Sequence, residues 1–132
     1  MEVERLRALP LFGELDHHDL SVLASWVREI HLGEGESLVE QGDLPKDLVV
    51  IEEGEVEVVR DGERLATLGP GDVVGEMGLI GQRRAMATVR ASVPVRALAI
   101  APERLETMAE QMPELTERLR QVAAERERAN ES

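Results

Sequence analysis

The sequence predicts a mainly β fold, an antiparallel roll flanked by N-terminal helices and by two C-terminal helices. Three observations predict it. From Glu29 to Ala101 short apolar runs are punctuated by glycine at close intervals, which marks an all-β sandwich or roll and not a parallel α/β sheet. Glu55-Val56-Glu57-Val58 alternates strictly and is followed by Asp61-Gly62, a hairpin signal. The segments on either side of this region instead carry apolar residues at helical spacing.

Taken in order, Val3 to Leu9 read as a short helix stopped by Pro10, and Leu11-Phe12-Gly13 as a turn. Asp16 is placed to cap a helix from His17 to Val27 that carries Leu20, Leu23, Ala24 and Val27 on one face. Phe12 and Trp26, the only aromatic residues, are expected to anchor this layer on the sheet. Strands are expected at Glu29–Leu32, Ser37–Glu40, Leu48–Glu52, Glu55–Arg60, Arg64–Leu68, Met86–Ser92 and Val95–Ile100, with a shorter one at Val73-Val74. Core candidates are Val49, Ile51, Val56, Val58, Leu65, Val89, Leu98 and Ile100.

Pro102 suits the first turn of a short helix from Glu103 to Gln111, and Pro113 starts a second that runs from Glu114 to Ala129. On that last helix Leu115, Leu119, Val122 and Ala123 share a face, and Glu114 precedes Arg118 at the spacing of an ion pair. The stripe has two readings: a helix that closes the domain by packing, or an exposed seam that pairs with a second copy in a homodimer. Beyond Ala124 the run ERERANES is polar and should fray. The 132 residues read as one domain, with helices over 1–28, a roll over 29–101 and helices over 102–129.

Composition narrows the function. With 15 basic against 27 acidic residues the formal net charge is -12, which disfavours binding to nucleic acid, because phosphate backbones are held by dense lysine and arginine. There is no cysteine, hence no disulfide framework and no thiolate metal site, which fits the cytoplasm. MEVERLRALP has charges where a signal peptide needs an apolar run, and no segment approaches the length of a membrane helix, so a soluble protein is expected. His17, His18 and His31 lie toward the N-terminal edge without the spacing of a metal site, and Ser37 and Ser92 have no histidine nearby in sequence to activate them. Neither a metal nor catalysis is expected.

The informative stretch is LGPGDVVGEMGLIGQRRAMATVRA, Leu68 to Ala91. Gly69-Pro70-Gly71-Asp72 is a turn, and Val73-Val74 runs into Gly75, where the backbone can approach a ligand with no Cβ in the way. Met77, Leu79 and Ile80 suit a single helical turn after Glu76, whose free N–H groups would favour an anion. Glu76 is itself a strong acceptor for neighbouring hydroxyls such as a ribose 2′-OH, while Arg83 and Arg84 downstream would meet a phosphate.

These residues resemble the phosphate-binding cassette of the cyclic nucleotide-binding domain family, which includes the sensor domains of catabolite activator proteins and protein kinase A regulatory subunits. The family pattern runs Gly-Glu-Leu/Met-Ala/Gly-Leu-Leu/Ile, a short gap, then Arg-x-Ala-Thr-Val. Gly75, Glu76, Met77, Gly78, Leu79 and Ile80 fall on its first half, and Ala87, Thr88 and Val89 on the end of its second. GESLVEQGDLPKDLVVIEEGEVEV, Gly35 to Val58, is similar to the family's early strands.

The resemblance implies a jelly-roll type double-stranded β-helix with a cassette over 75–89, and a regulatory sensor of cAMP or cGMP that uses no other cofactor. It implies that Glu76 accepts from the ribose 2′-OH and that amides near Gly78 and Ala85 hold the cyclic phosphate. Arg84 or Arg83 would pair with that phosphate, and Thr88 continues the pattern. A signal would leave through the C-terminal helix to an effector protein that the sequence does not identify. One long helix stands where the family's transcription factors carry a helix-turn-helix, so no direct nucleic-acid binding is expected.

One departure stands out. Aligned without gaps, the phosphate-binding arginine falls on Ala85, and Arg83 and Arg84 precede it. Arg84 serves if a bulge takes up one residue at the start of the strand. The alternative is a roll that has lost its nucleotide and acts as an interaction or dimerisation module.

Overall fold

A computed structural model describes residues 1–44, 47–75 and 84–131, with 126–131 as helical backbone. Among these residues eight strands form two four-stranded antiparallel sheets: β1 (Val27–Leu32), β2 (Ser37–Val39), β3 (Leu48–Glu53), β4 (Val56–Arg60), β5 (Glu63–Leu68), β6 (Val73–Val74), β7 (Thr88–Ala91) and β8 (Val95–Ile100). One sheet has the order β1-β8-β3-β6 and the other β2-β7-β4-β5. Helices α1 (Val3–Arg7) and α2 (His17–Trp26) precede them. A 3-10 turn at Pro102–Arg104, α3 (Leu105–Gln111) and α4 (Pro113–Glu131) come after them.

The inner strands β3 and β8 of the first sheet are buried on both faces, which explains why Leu48–Ile51 reads as a continuous apolar run and not as alternation, whereas the edge strand β1 keeps Arg28, Glu29 and His31 exposed. Along β3, Leu48 and Val50 face the helices, with Val73, Leu98, Ile100, Phe12, Met108, Leu115 and Leu119. Val49 and Ile51 face the second sheet, with Val56, Val74, Val89, Ala91, Val95, Ala97 and Ala99. The second sheet covers that inner core with one face and turns the other outward, so β5 is exposed along most of its length.

Local chemistry sets the boundaries. Asp16 caps α2 as expected, accepting from the Asp19 N–H at 2.8 Å. Val27 leaves the helix one residue early and opens β1 opposite Ile100. Asp61 and Gly62 both take positive φ, 52° and 82°, the signature of the tight hairpin turn between β4 and β5. Trp26 packs against the helical core with the Arg104 guanidinium over its ring at 5.6 Å.

Two expectations are corrected. Leu65 is 41% exposed, because the register passes from Val58↔Ala66 to Val59↔Arg64 and leaves Leu65 as the extra residue of a bulge. The α4 stripe is not a free seam: Leu115, Leu119 and Ala123 are buried in the chain's own core, so a homodimer through them loses its basis. Arg118 looks inward as well, donating to the Leu11 carbonyl at 3.1 Å and pairing with Glu14, which places it with the N-terminal turn and not with Glu114.

Candidate functional site

The stretch expected to form the cassette, 75–89, is described at Gly75, one residue past β6, and from Arg84 onward into β7. Both ends rest on one loop, the connection between β2 and β3. At the first end Gly75 has φ of 95°, and a Cβ there would stand 2.7 Å from the Asp47 carbonyl oxygen. Only glycine fits this approach. Asp47 is in turn ion-paired with Arg28 of β1, which ties the loop to the first sheet.

At the second end a small hydrogen-bonded clasp forms. The Gly42 N–H donates to the Ala85 carbonyl at 2.8 Å and the Ala85 N–H donates to the Asp43 carbonyl at 2.7 Å. Two residues thus oppose one, with Gly42 at φ of 91°, which is the pattern of a glycine-led bulge. From the sequence, Arg84 serves if a bulge lies in its own strand; among the described residues the bulge lies across from it, at Gly42-Asp43. The turn itself is closed by Asp43, whose carboxylate accepts from the Glu40 N–H at 3.0 Å.

Arg84 is exposed and donates from Nη1 to the Gly42 carbonyl at 3.0 Å. A guanidinium has five N–H donors, and among the described residues this bond uses one of them and orients the side chain. Thr88 Oγ1 accepts from the Gln41 N–H at 3.0 Å. Its own proton therefore points elsewhere, which makes the hydroxyl a donor toward whatever faces it. Ala85 is engaged at both its N–H and its C=O, so its amide is not free for a phosphate in this arrangement.

Gly75, Arg84, Ala85 and Thr88 are thus brought to the rim of one loop, while Glu76, Met77, Gly78 and Arg83 lie outside the described residues. Gln41, Gly42, Asp43 and Asp47 belong to the same rim and were not among the site residues singled out from the sequence. Their one sequence signal is the turn-forming run Glu40-Gln41-Gly42-Asp43, with a carboxylate three residues after the N–H it caps.

A separate charge network lies at the opposite end of β3. Arg5 donates to Glu52 at 2.6 and 3.0 Å and to Glu29 at 2.6 Å, and Arg96 donates to Glu52 at 2.8 Å. The hydrogen bond from Arg5 holds both carboxyls below the ordinary range against a smaller opposing effect of burial. This network fastens α1 to β1, β3 and β8. Among the described residues no group of three or more His, Asp or Glu is placed to hold a metal.

The two four-stranded antiparallel sheets define the class of the fold, a β-roll. Residues 29–112 match the model of the cyclic nucleotide-binding domain family, and the chain belongs to that family. It is 32% identical over 92 residues to the cAMP-dependent protein kinase regulatory subunit of Schizosaccharomyces pombe, covering 69% of this chain and 22% of that protein. The chain therefore spans about a fifth of that relative. A putative cyclic nucleotide-binding protein of Geobacter metallireducens superimposes with a TM-score of 0.80 at 27% identity, over 94% of this chain and 93% of that one. The catabolite activator protein of Thermus thermophilus matches with a TM-score of 0.80 at 28% identity, over 92% and 60% of the two chains.

Proposed function

We propose that this chain is a single cytoplasmic sensor domain that binds a cyclic nucleotide, cAMP or cGMP, and whose occupancy is read by an effector protein. The observation that supports this reading best is the rim itself: Gly75 and Ala85, which lie on either side of 76–83 in the sequence, both rest on the β2–β3 loop, and Arg84 stands there exposed, donating among the described residues to the Gly42 carbonyl. In this reading Glu76 accepts from the ribose 2′-OH, and Gly75 and Met77 set the course of the segment. The phosphate is held by the amide near Gly78, by Arg84 or Arg83, and by the Thr88 hydroxyl. The chain's kinship with a cAMP-dependent protein kinase regulatory subunit supports cAMP as the first ligand to try. The role is binding and not catalysis.

The signal would leave through α4, whose first half is packed into the core through Leu115, Leu119 and Ala123. A second reading, a roll that serves as an interaction module without a nucleotide, draws on one observation: Ala85 stands at the arginine position and its amide is already engaged. One titration separates the two. With nucleotide carried over from expression removed, cAMP or cGMP at a hundred times its dissociation constant should stabilise the domain by about 2.7 kcal/mol. No calorimetric heat and no melting shift at millimolar nucleotide would refute the sensor and leave the interaction module.

A further inference from the structure

We propose that Gln41 is a positioning residue for the anion site, acting through a side-chain clip to the β4–β5 hairpin. The inference rests on the nucleotide-binding reading above. Gln41 Nε2 donates to Asp61 Oδ1 at 3.0 Å, and the Asp61 N–H donates back to Gln41 Oε1 at 3.2 Å. Both ends of the amide are thus used, and they are used across 20 residues of sequence. Asp61 is a fixed partner, because it sits in the tight hairpin turn with φ of 52°.

The clip matters because of the backbone next to it. The Gln41 N–H is held by Thr88 Oγ1, and the adjoining residue, Gly42, supplies the carbonyl that orients Arg84. Gly42 and Asp43 then form the bulge against Ala85. Fixing Gln41 at its side chain and its N–H leaves Gly42 little freedom, so the carbonyl is held where it can aim the guanidinium. Gln41 need not touch the ligand. It holds the backbone that holds the arginine, and a binding group loses affinity when its support loosens.

The test uses the pairing chemistry of the clip, with cAMP and cGMP as probes in calorimetry. Gln41→Ala removes the clip, and Gln41→Glu sets a carboxylate against that of Asp61; each should weaken nucleotide binding about three- to tenfold, the worth of one or two hydrogen bonds. Adding Asp61→Asn to Gln41→Glu restores a donor opposite an acceptor at the original net charge. The double variant should recover the affinity of the unaltered protein, and Asp61→Asn alone should leave it unchanged, since asparagine tolerates a positive φ. A nonspecific loss of stability would not be reversed by this exchange.

Affinities unchanged in both single Gln41 variants would overturn the inference while the sensor reading stood. A loss in Gln41→Glu that Asp61→Asn does not repair would also overturn it, because the effect would then belong to position 41 alone and not to its pairing with Asp61. If the unaltered protein binds neither nucleotide, the sensor reading fails first and this inference falls with it.

Discussion

Gly75→Ala tests the geometry at the first end of the cassette. Alanine in the left-handed region costs roughly 1–2 kcal/mol at any position. At Gly75 there is a second cost, because the new Cβ would lie 2.7 Å from the Asp47 carbonyl oxygen and 3.5 Å from the Leu48 Cα. Both neighbours are backbone, and Leu48 is 1% exposed, so the loop cannot step aside without disturbing the first sheet. Overpacking of this kind typically costs a further 1–3 kcal/mol, which brings the expected loss to about 2–5 kcal/mol. Gly35→Ala is the matched control, since Gly35 has φ of 86° but nothing within 4 Å of a built Cβ. It should lose only the strain cost. Urea titrations of the two variants, compared at constant m, measure the difference directly. Thermal midpoints should part by about 4 °C per kcal/mol. Equal losses in the two variants would refute the contact with Asp47 and, with it, the anchoring of the cassette on that loop.

The remaining predictions concern the second end, the last helix and the charge network. Arg84→Ala should lose roughly 1.5–3 kcal/mol of nucleotide binding in calorimetry while Arg83→Ala loses much less; equal small losses would mean that backbone amides hold the anion. Leu119→Ala should cost about 2–5 kcal/mol of folding stability in denaturant, whereas a seam residue of a dimer would change the mass seen by light scattering and spare the fold. Glu52 is held below its ordinary pKa of 4.5, so it contributes stability that is present above that value and lost as pH falls through the lower, folded value. Glu52→Gln should therefore flatten the fall in stability on the acid side of pH 4.5 while lowering stability at neutral pH, and an unchanged acid slope would count against the Arg5 clamp.

Most of the fold was legible because it depends on patterns that act locally. Asp16 announces its helix through one hydrogen bond, Asp61-Gly62 announces its hairpin through dihedral preference, and β3 announces double-sided burial through four apolar residues in a row. The errors fall where facing is decided by something non-local. Leu65 looks inward by alternation, and only the pairing with β4 reveals the bulge that turns it out. Leu115 and Leu119 form an apolar stripe whatever they cover; that Phe12, Leu48 and Ile100 lie in the same core cluster comes from tertiary packing and not from helical period. The same limit applies to the site. Thr88 falls on the cassette pattern and Arg84 one residue before its arginine position, but their partners come from more than 40 residues earlier, and no spacing rule connects Gln41 to Thr88 or Gly42 to Arg84.

The burial of α4 also constrains how a bound ligand could act on it. Pulling Leu115 and Leu119 out of the core would cost about 1.5–3 kcal/mol for each side chain. It would also break the hydrogen bond from Arg118 to the Leu11 carbonyl, a part-buried contact worth roughly another 1.5–3 kcal/mol for a charged donor. Against this, a ligand that binds one state alone supplies about 2.7 kcal/mol at a hundred times its dissociation constant and about 4.1 at a thousand times. Full release of the helix asks for more than ordinary occupancy provides. A motion that keeps Leu115, Leu119 and Ala123 packed, a tilt of α4 together with the N-terminal turn that Arg118 grips, breaks none of those contacts. Because Leu48 and Val50 of β3 lie in the same core cluster as Leu115 and Leu119, and a Cβ at Gly75 would meet the Asp47 carbonyl just before Leu48, a ligand acting near Gly75 would have a short packed route to that tilt.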